Sequence, residues 1–176
     1  MKRTVMMLCL GAALCQGAWA SSAFETYGDI AQFAIPLAAL GISWSKDDYE
    51  GMRQLGYSAA ATEGTVLILK NTVDATRPNG GAKSFPSGHT ALAFSGASYL
   101  QLRYGWQYGV PAIIAASAVG WSRVDAKQHY WRDVIAGAAI ASGLSYLITT
   151  PQQTELALFP TMLPDGATGI GLSYRY

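Results

Sequence analysis

The chain has 176 residues, 51% of them hydrophobic and only 13% charged, with a formal net charge of +1. That length accommodates one domain of ordinary size and leaves little room for a second. Charge well below the roughly 25% of a typical soluble domain excludes a disordered or supercharged chain. The near-neutral balance argues against nucleic acid as a partner. A mean hydropathy of +0.18 falls between a soluble globule and a bundle of membrane spans, and leaves that choice open.

Residues 1–20 read as a secretory signal peptide: Lys2 and Arg3 supply a positive start, a compact apolar stretch covers 5–14, and Ala18-Trp19-Ala20 supplies the small-residue cleavage pattern. The alternative is an uncleaved first membrane helix, for which the apolar run falls short of the ~20 residues that span a bilayer. Both cysteines, Cys9 and Cys15, lie in this segment. The remaining chain, 21–176, can therefore form no disulfide and no thiolate metal site. Loss of Lys2 and Arg3 turns the net charge from +1 to −1.

Five helices are expected over residues 28–45, 51–70, 87–103, 108–122 and 132–150, with Pro36 as a kink in the first. They are rich in Ala, Gly and Ser, which favours close helix packing, and no break divides residues 21–150 into two domains. After Pro151 the pattern changes. Ile170, Leu172, Tyr174 and Tyr176 alternate with Gly, Ser and Arg, and Pro164-Asp165-Gly166 signals a turn, so 151–176 is expected to form a β-hairpin covering the bundle. The fold class is thus mainly α, a single bundle of five to six helices with a short C-terminal hairpin.

The residues suited to chemistry sit at helix ends. Lys70 and Arg77 place two cations in the loop after the second helix. In Pro86-Ser87-Gly88-His89, Ser87 is an expected N-cap, and the Gly88 N–H beside it suits an anion at the positive end of a helix, although an ordinary cap would look the same. Ser122-Arg123 is followed by His129 and, four residues on, Asp133, a spacing that lets a carboxylate hold one imidazole nitrogen. A short connection at 104–107 makes the third and fourth helices an antiparallel pair, which brings both histidines of the chain and three cations to one end of the bundle.

This triple pattern, K-x6-R-P, P-S-G-H and S-R-x5-H-x3-D, resembles that of the type 2 phosphatidic acid phosphatase superfamily, which includes bacterial acid phosphatases and vanadium haloperoxidases. The resemblance covers about 70–147, and every motif position is filled. It implies metal-independent hydrolysis of phosphate monoesters or pyrophosphates, with no cofactor. His129 would attack phosphorus to give a phosphohistidine, and Asp133 would fix its tautomer. Lys70, Arg77, Ser87, Gly88 and Arg123 would bind the phosphoryl oxygens. His89 would protonate the leaving oxygen and then activate the water.

Two alternatives share the fold: a vanadate-dependent haloperoxidase, whose known members are usually much longer, and a non-catalytic protein binding anions or lipid head groups. The expected partner is a phosphorylated small molecule or lipid. Arg53 and Glu63 in the second helix, and three acids against one lysine in 46–50, favour a compact exported bundle in the periplasm or cell envelope over one embedded in the inner membrane. Trp44, Trp106, Trp121 and Trp131 are available as interfacial anchors. Neither the identity of the substrate nor the oligomeric state is encoded in these motifs.

Overall fold

A computed structural model describes the backbone of residues 2–152, 155–162 and 168–175, and side chains over 22–152. Five helices form one bundle: α1 (Lys2–Ser45), α2 (Tyr49–Thr72), α3 (Gly88–Tyr104), α4 (Trp106–Asp125) and α5 (Trp131–Ile148). The helix expected from Gly28 begins further upstream, where the preceding residues contain no proline, and it continues through Pro36. The other four differ from expectation by three residues or fewer at each end.

The boundaries have local causes. Asp48 caps α2 by accepting from the Gly51 N–H at 2.9 Å, and Ser87 caps α3. Gly105, at φ 83°, reverses the chain between α3 and α4 in a conformation that suits glycine. Helix α3 lies at the centre, in contact with each of the other four. Small residues permit this: a Cβ on Gly96 would come within 2.7 Å of the Pro36 Cα, so the α1 and α3 backbones nearly touch. One core cluster joins Ala31, Ile35, Ala93, Ala97, Ala116 and Val119; a second joins Ala39, Leu55, Tyr99 and Leu100.

The core is also unusually polar. Ser58 Oγ and Ser145 Oγ are 2.8 Å apart between α2 and α5, and Ser98 Oγ and Ser142 Oγ are 2.9 Å apart between α3 and α5. Where α1, α3 and α5 end and α2 begins, Arg103 makes a two-pronged ion pair with Asp48, at 2.7 and 2.6 Å. The end of α2, the start of α3, the end of α4 and the start of α5 meet at the opposite end.

The backbone of Glu155–Met162 and Thr168–Arg175 is extended and pairs antiparallel, Glu155 opposite Arg175. Residues 153–154 and 163–167, and every side chain from 153 onward, lie outside the described residues, and with them the expected hairpin turn and its covering of the bundle.

Candidate active site

The helix ends opposite the Asp48–Arg103 pair enclose a cavity of about 570 Å³. Its lining includes Lys70, Arg77, Gly88, His89, Arg123 and His129, six of the eight residues singled out in the three motifs. Lys70 and Arg77 are held by neutral acceptors that fix their positions without cancelling their charge, whereas Arg123 also pairs with the Asp29 carboxylate. Lys70 Nζ donates to the Lys83 carbonyl at 3.1 Å. Arg77 donates to the Ala82 carbonyl at 3.2 Å and to Gln128 Oε1 at 2.8 Å. Arg123, 2% exposed, donates to the Glu25 carbonyl at 2.5 Å and to Ser122 Oγ at 3.1 Å. Burial, followed by the neighbouring Arg77 charge, lowers the Lys70 pKa from its ordinary value, against opposing pulls from Asp133 and Glu63.

His129 is 3% exposed. Burial, then Lys70 and Arg77, push its pKa down to about 4, while Asp133 acts in the opposite direction. The ring is therefore neutral at physiological pH, the state required of a nucleophile. Burial and the Arg123 charge also lower the pKa of His89; the Asp29 carboxylate raises it through a hydrogen bond and its charge.

The remaining two motif residues are placed differently. Ser87 is fully buried, its Oγ accepts from the Thr90 hydroxyl at 3.0 Å, and it does not line the cavity. In the structure its hydroxyl caps α3. Asp133 is also fully buried, and its Oδ2 is 3.7 Å from His129 Nδ1, too far for a hydrogen bond. The same oxygen accepts from Ser84 Oγ at 2.5 Å and from the Tyr130 N–H at 3.0 Å, so the carboxylate ties the start of α5 to the loop before α3. His129 Nδ1 is buried without a hydrogen-bond partner.

The sequence reading missed one wall of this cavity. Glu25, Asp29, Gln32 and Phe33 line it from α1. Asp29 Oδ1 accepts from Arg123 at 2.7 Å and lies 3.1 Å from His89 Nε2. Glu25, Asp29 and Gln32 follow an i, i+4, i+7 spacing, a polar stripe on a helix whose other faces are largely apolar, and that stripe was the available signal. Glu63 contributes a further carboxylate from α2; burial raises its pKa against the pull of Lys70, and its Oε1 has no hydrogen-bond partner.

Two histidines, three cations and the N-terminus of a helix meet around one cavity, an arrangement whose chemistry suits an anion. A sequence model of the PAP2 superfamily matches residues 51–156, and the chain belongs to that superfamily. It is 31% identical over 169 residues to a lipid A 4'-phosphatase of Helicobacter pylori, an alignment covering 86% of this chain and 85% of the relative. A lipid A 1-phosphatase of Porphyromonas gingivalis is 39% identical over 106 residues, covering 56% of this chain but 22% of the longer relative. The crystal structure of Aquifex aeolicus LpxE has the same fold, with a TM-score of 0.64 at 21% identity over 73% of this chain and 84% of that one.

Proposed function

We propose that the protein is a lipid phosphate phosphatase that cleaves a phosphate monoester on a glycolipid through a phosphohistidine. The observation that carries this reading is the pairing of a neutral, buried His129 with a second histidine, His89, across a cavity lined by Lys70, Arg77 and Arg123. His129 attacks phosphorus, and the three cations take up the charge developing on the phosphoryl oxygens. His89 protonates the leaving oxygen and then accepts a proton from the attacking water. Asp133 acts through the scaffold, by tying the loop that leads into α3 and His89 to the start of α5, just after His129. The near full-length relative named for lipid A supports a phosphorylated sugar lipid as the substrate.

The test is phosphate release by the purified protein in the presence of EDTA. Vesicles carrying a phosphorylated glucosamine lipid are compared with vesicles carrying phosphatidate and with soluble p-nitrophenyl phosphate. Fastest turnover is expected on the glycolipid. Failure to release phosphate from all three overturns the phosphatase reading, and equal rates on the two lipids overturn the glycolipid assignment. Vanadate-dependent bromide oxidation would favour the haloperoxidase reading.

The place of action proposed is the cell envelope, reached by export through the leader at 1–20, with the bundle held against lipid. Among the described residues, no helix is long and apolar enough to cross a membrane. The polarity of the bundle nevertheless favours lipid contact. Ser43, Ser58, Ser95 and Ser145 are buried, whereas Ile30, Leu37, Ile68, Ile114, Ile135 and Leu147 are exposed. All four tryptophans named above are exposed as well. Trp121 and Trp131 sit at the cavity end, and Trp44 and Trp106 at the other end, roughly 22 Å away at 1.5 Å per residue along α4. On fractionation, release by detergent but not by high salt is expected; release with a periplasmic wash would overturn the membrane placement.

A further inference from the structure

The two histidines of the cavity differ in their carboxylates. His129, with an acid four residues on, has no hydrogen bond to it. His89 has a direct partner 60 positions away, in Asp29 of α1. The same Asp29 oxygen meets Arg123, so one carboxylate oxygen bridges the second histidine and a buried cation. The arrangement is built into the packing: a Cβ on Gly28 would come within 2.0 Å of Ser122 Oγ and 2.6 Å of an Arg123 terminal nitrogen. Only a glycine lets α1 approach the end of α4 closely enough to place the next residue, Asp29, between Arg123 and His89. Gly28 and Asp29 lie outside residues 51–156, the span that the family model matches in this chain.

We propose that Asp29 is the positioning residue of the acid: by accepting the His89 Nε2–H and seating the Arg123 guanidinium, it directs the remaining imidazolium proton, on Nδ1, to the leaving oxygen. The inference rests on the phosphatase reading above. In the first half-reaction the His129–phosphorus bond forms and the bond from phosphorus to the leaving oxygen breaks. The Nδ1 proton passes to that oxygen, which leaves as an alcohol, while the Nε2 proton stays on His89 against Asp29. In the second, Nδ1 takes a proton from water as the water oxygen bonds to phosphorus and the bond to His129 breaks, which returns the imidazolium.

The charged groups around His89 make the sign of the test plain. Arg123 from α4 and Arg77 from the loop after α2 disfavour its protonated form, and Asp29 favours it. Lys70 and Glu63 of α2, Glu25 of α1 and His129 complete the titratable lining. Removal of the Asp29 charge should therefore lower the pH at which His89 loses its proton, by about one unit.

The chain contains two histidines, so the imidazole resonances of the full protein follow both titrations, and a His129→Ala variant assigns them. In Asp29→Asn the His89 midpoint is expected to fall by about one pH unit while that of His129 changes little. The alkaline limb of the kcat/KM profile for a phosphate ester should move by the same amount, with a roughly tenfold loss of kcat above neutral pH. Asp29→Glu should restore both midpoint and limb. A residue that merely ties α1 to α4 would lower thermal stability or raise KM and leave the His89 midpoint in place, and that result overturns the proposal. The titration is read without turnover, so an inactive wild type would overturn the phosphatase reading independently of this pairing.

Discussion

Replacement of His129 by alanine is expected to lower the rate of phosphate-ester hydrolysis by about 10⁴-fold or more, with phosphate binding and the fold retained. The loss should be that large because no second group in the cavity replaces a neutral nitrogen nucleophile. Lys70, Arg77 and Arg123 are cations, and His89 is the residue proposed as the acid. Phosphate should still bind, because the cradle of cations does not depend on the imidazole: each is held by carbonyls, by Gln128 or by α1. With a pKa of about 4, the His129 ring is neutral above that pH and protonated below it, so wild-type activity should decline as the pH falls through about 4. A rapid quench with a ³²P-labelled substrate should trap a phosphoenzyme in the wild type, stable to alkali and labile to acid, and none in the variant. If His129→Ala keeps more than about a hundredth of wild-type kcat, a margin below the loss typical of a missing nucleophile, the assignment of the nucleophile is wrong.

The second large effect lies at the far end of the bundle and concerns stability. Asp48 and Arg103 expose only 5% and 8% of their side chains. Burial acts to raise the Asp48 pKa, but the hydrogen bonds from Arg103, the Gly51 N–H and the Tyr104 hydroxyl, with the Arg103 charge, outweigh it and leave the pKa below its ordinary value. Arg103 also donates to the Thr150 carbonyl at 2.7 Å, so one guanidinium joins the α1–α2 turn, the end of α3 and the end of α5. Asp48→Ala leaves that guanidinium buried without its counter-charge, and a loss of about 3–5 kcal/mol is expected in denaturant unfolding. Asp48→Ala combined with Arg103→Met should lose clearly less. Below its unfolding temperature the single variant should keep normal kcat, because the cavity is at the other end of α2 and α3. A loss under about 1 kcal/mol, the size of an exposed pair, would show that the ion pair does not hold the bundle end.

Much of this was legible in the sequence because it is carried by short-range signals. The five helices follow from long apolar runs and their flanking caps. The convergence of Lys70, Arg77, Gly88, His89, Arg123 and His129 follows from the alternation of helix direction. What the sequence concealed depends on exact placement in space. The four-residue spacing of His129 and Asp133 made a hydrogen bond plausible, yet His129 precedes α5 and Asp133 lies within its first turn, where the Tyr130 N–H and Ser84 claim the carboxylate. Ser84 carried no signal of its own, being one of many serines. The contribution of α1 depends on a close approach at Gly28 that no periodicity reports.

That approach also bears on the order in which the site comes into being. The antiparallel α3–α4 pair needs only the short reversal at Gly105, and such local contacts form readily. Arg123 meets Asp29 across 94 positions of the chain, and Glu25 across 98. Closing so long a loop carries a larger entropic cost than closing the reversal at Gly105. A folding chain that has already gathered its three motifs therefore still lacks the α1 wall of the cavity, and the pocket is complete only when the first helix docks.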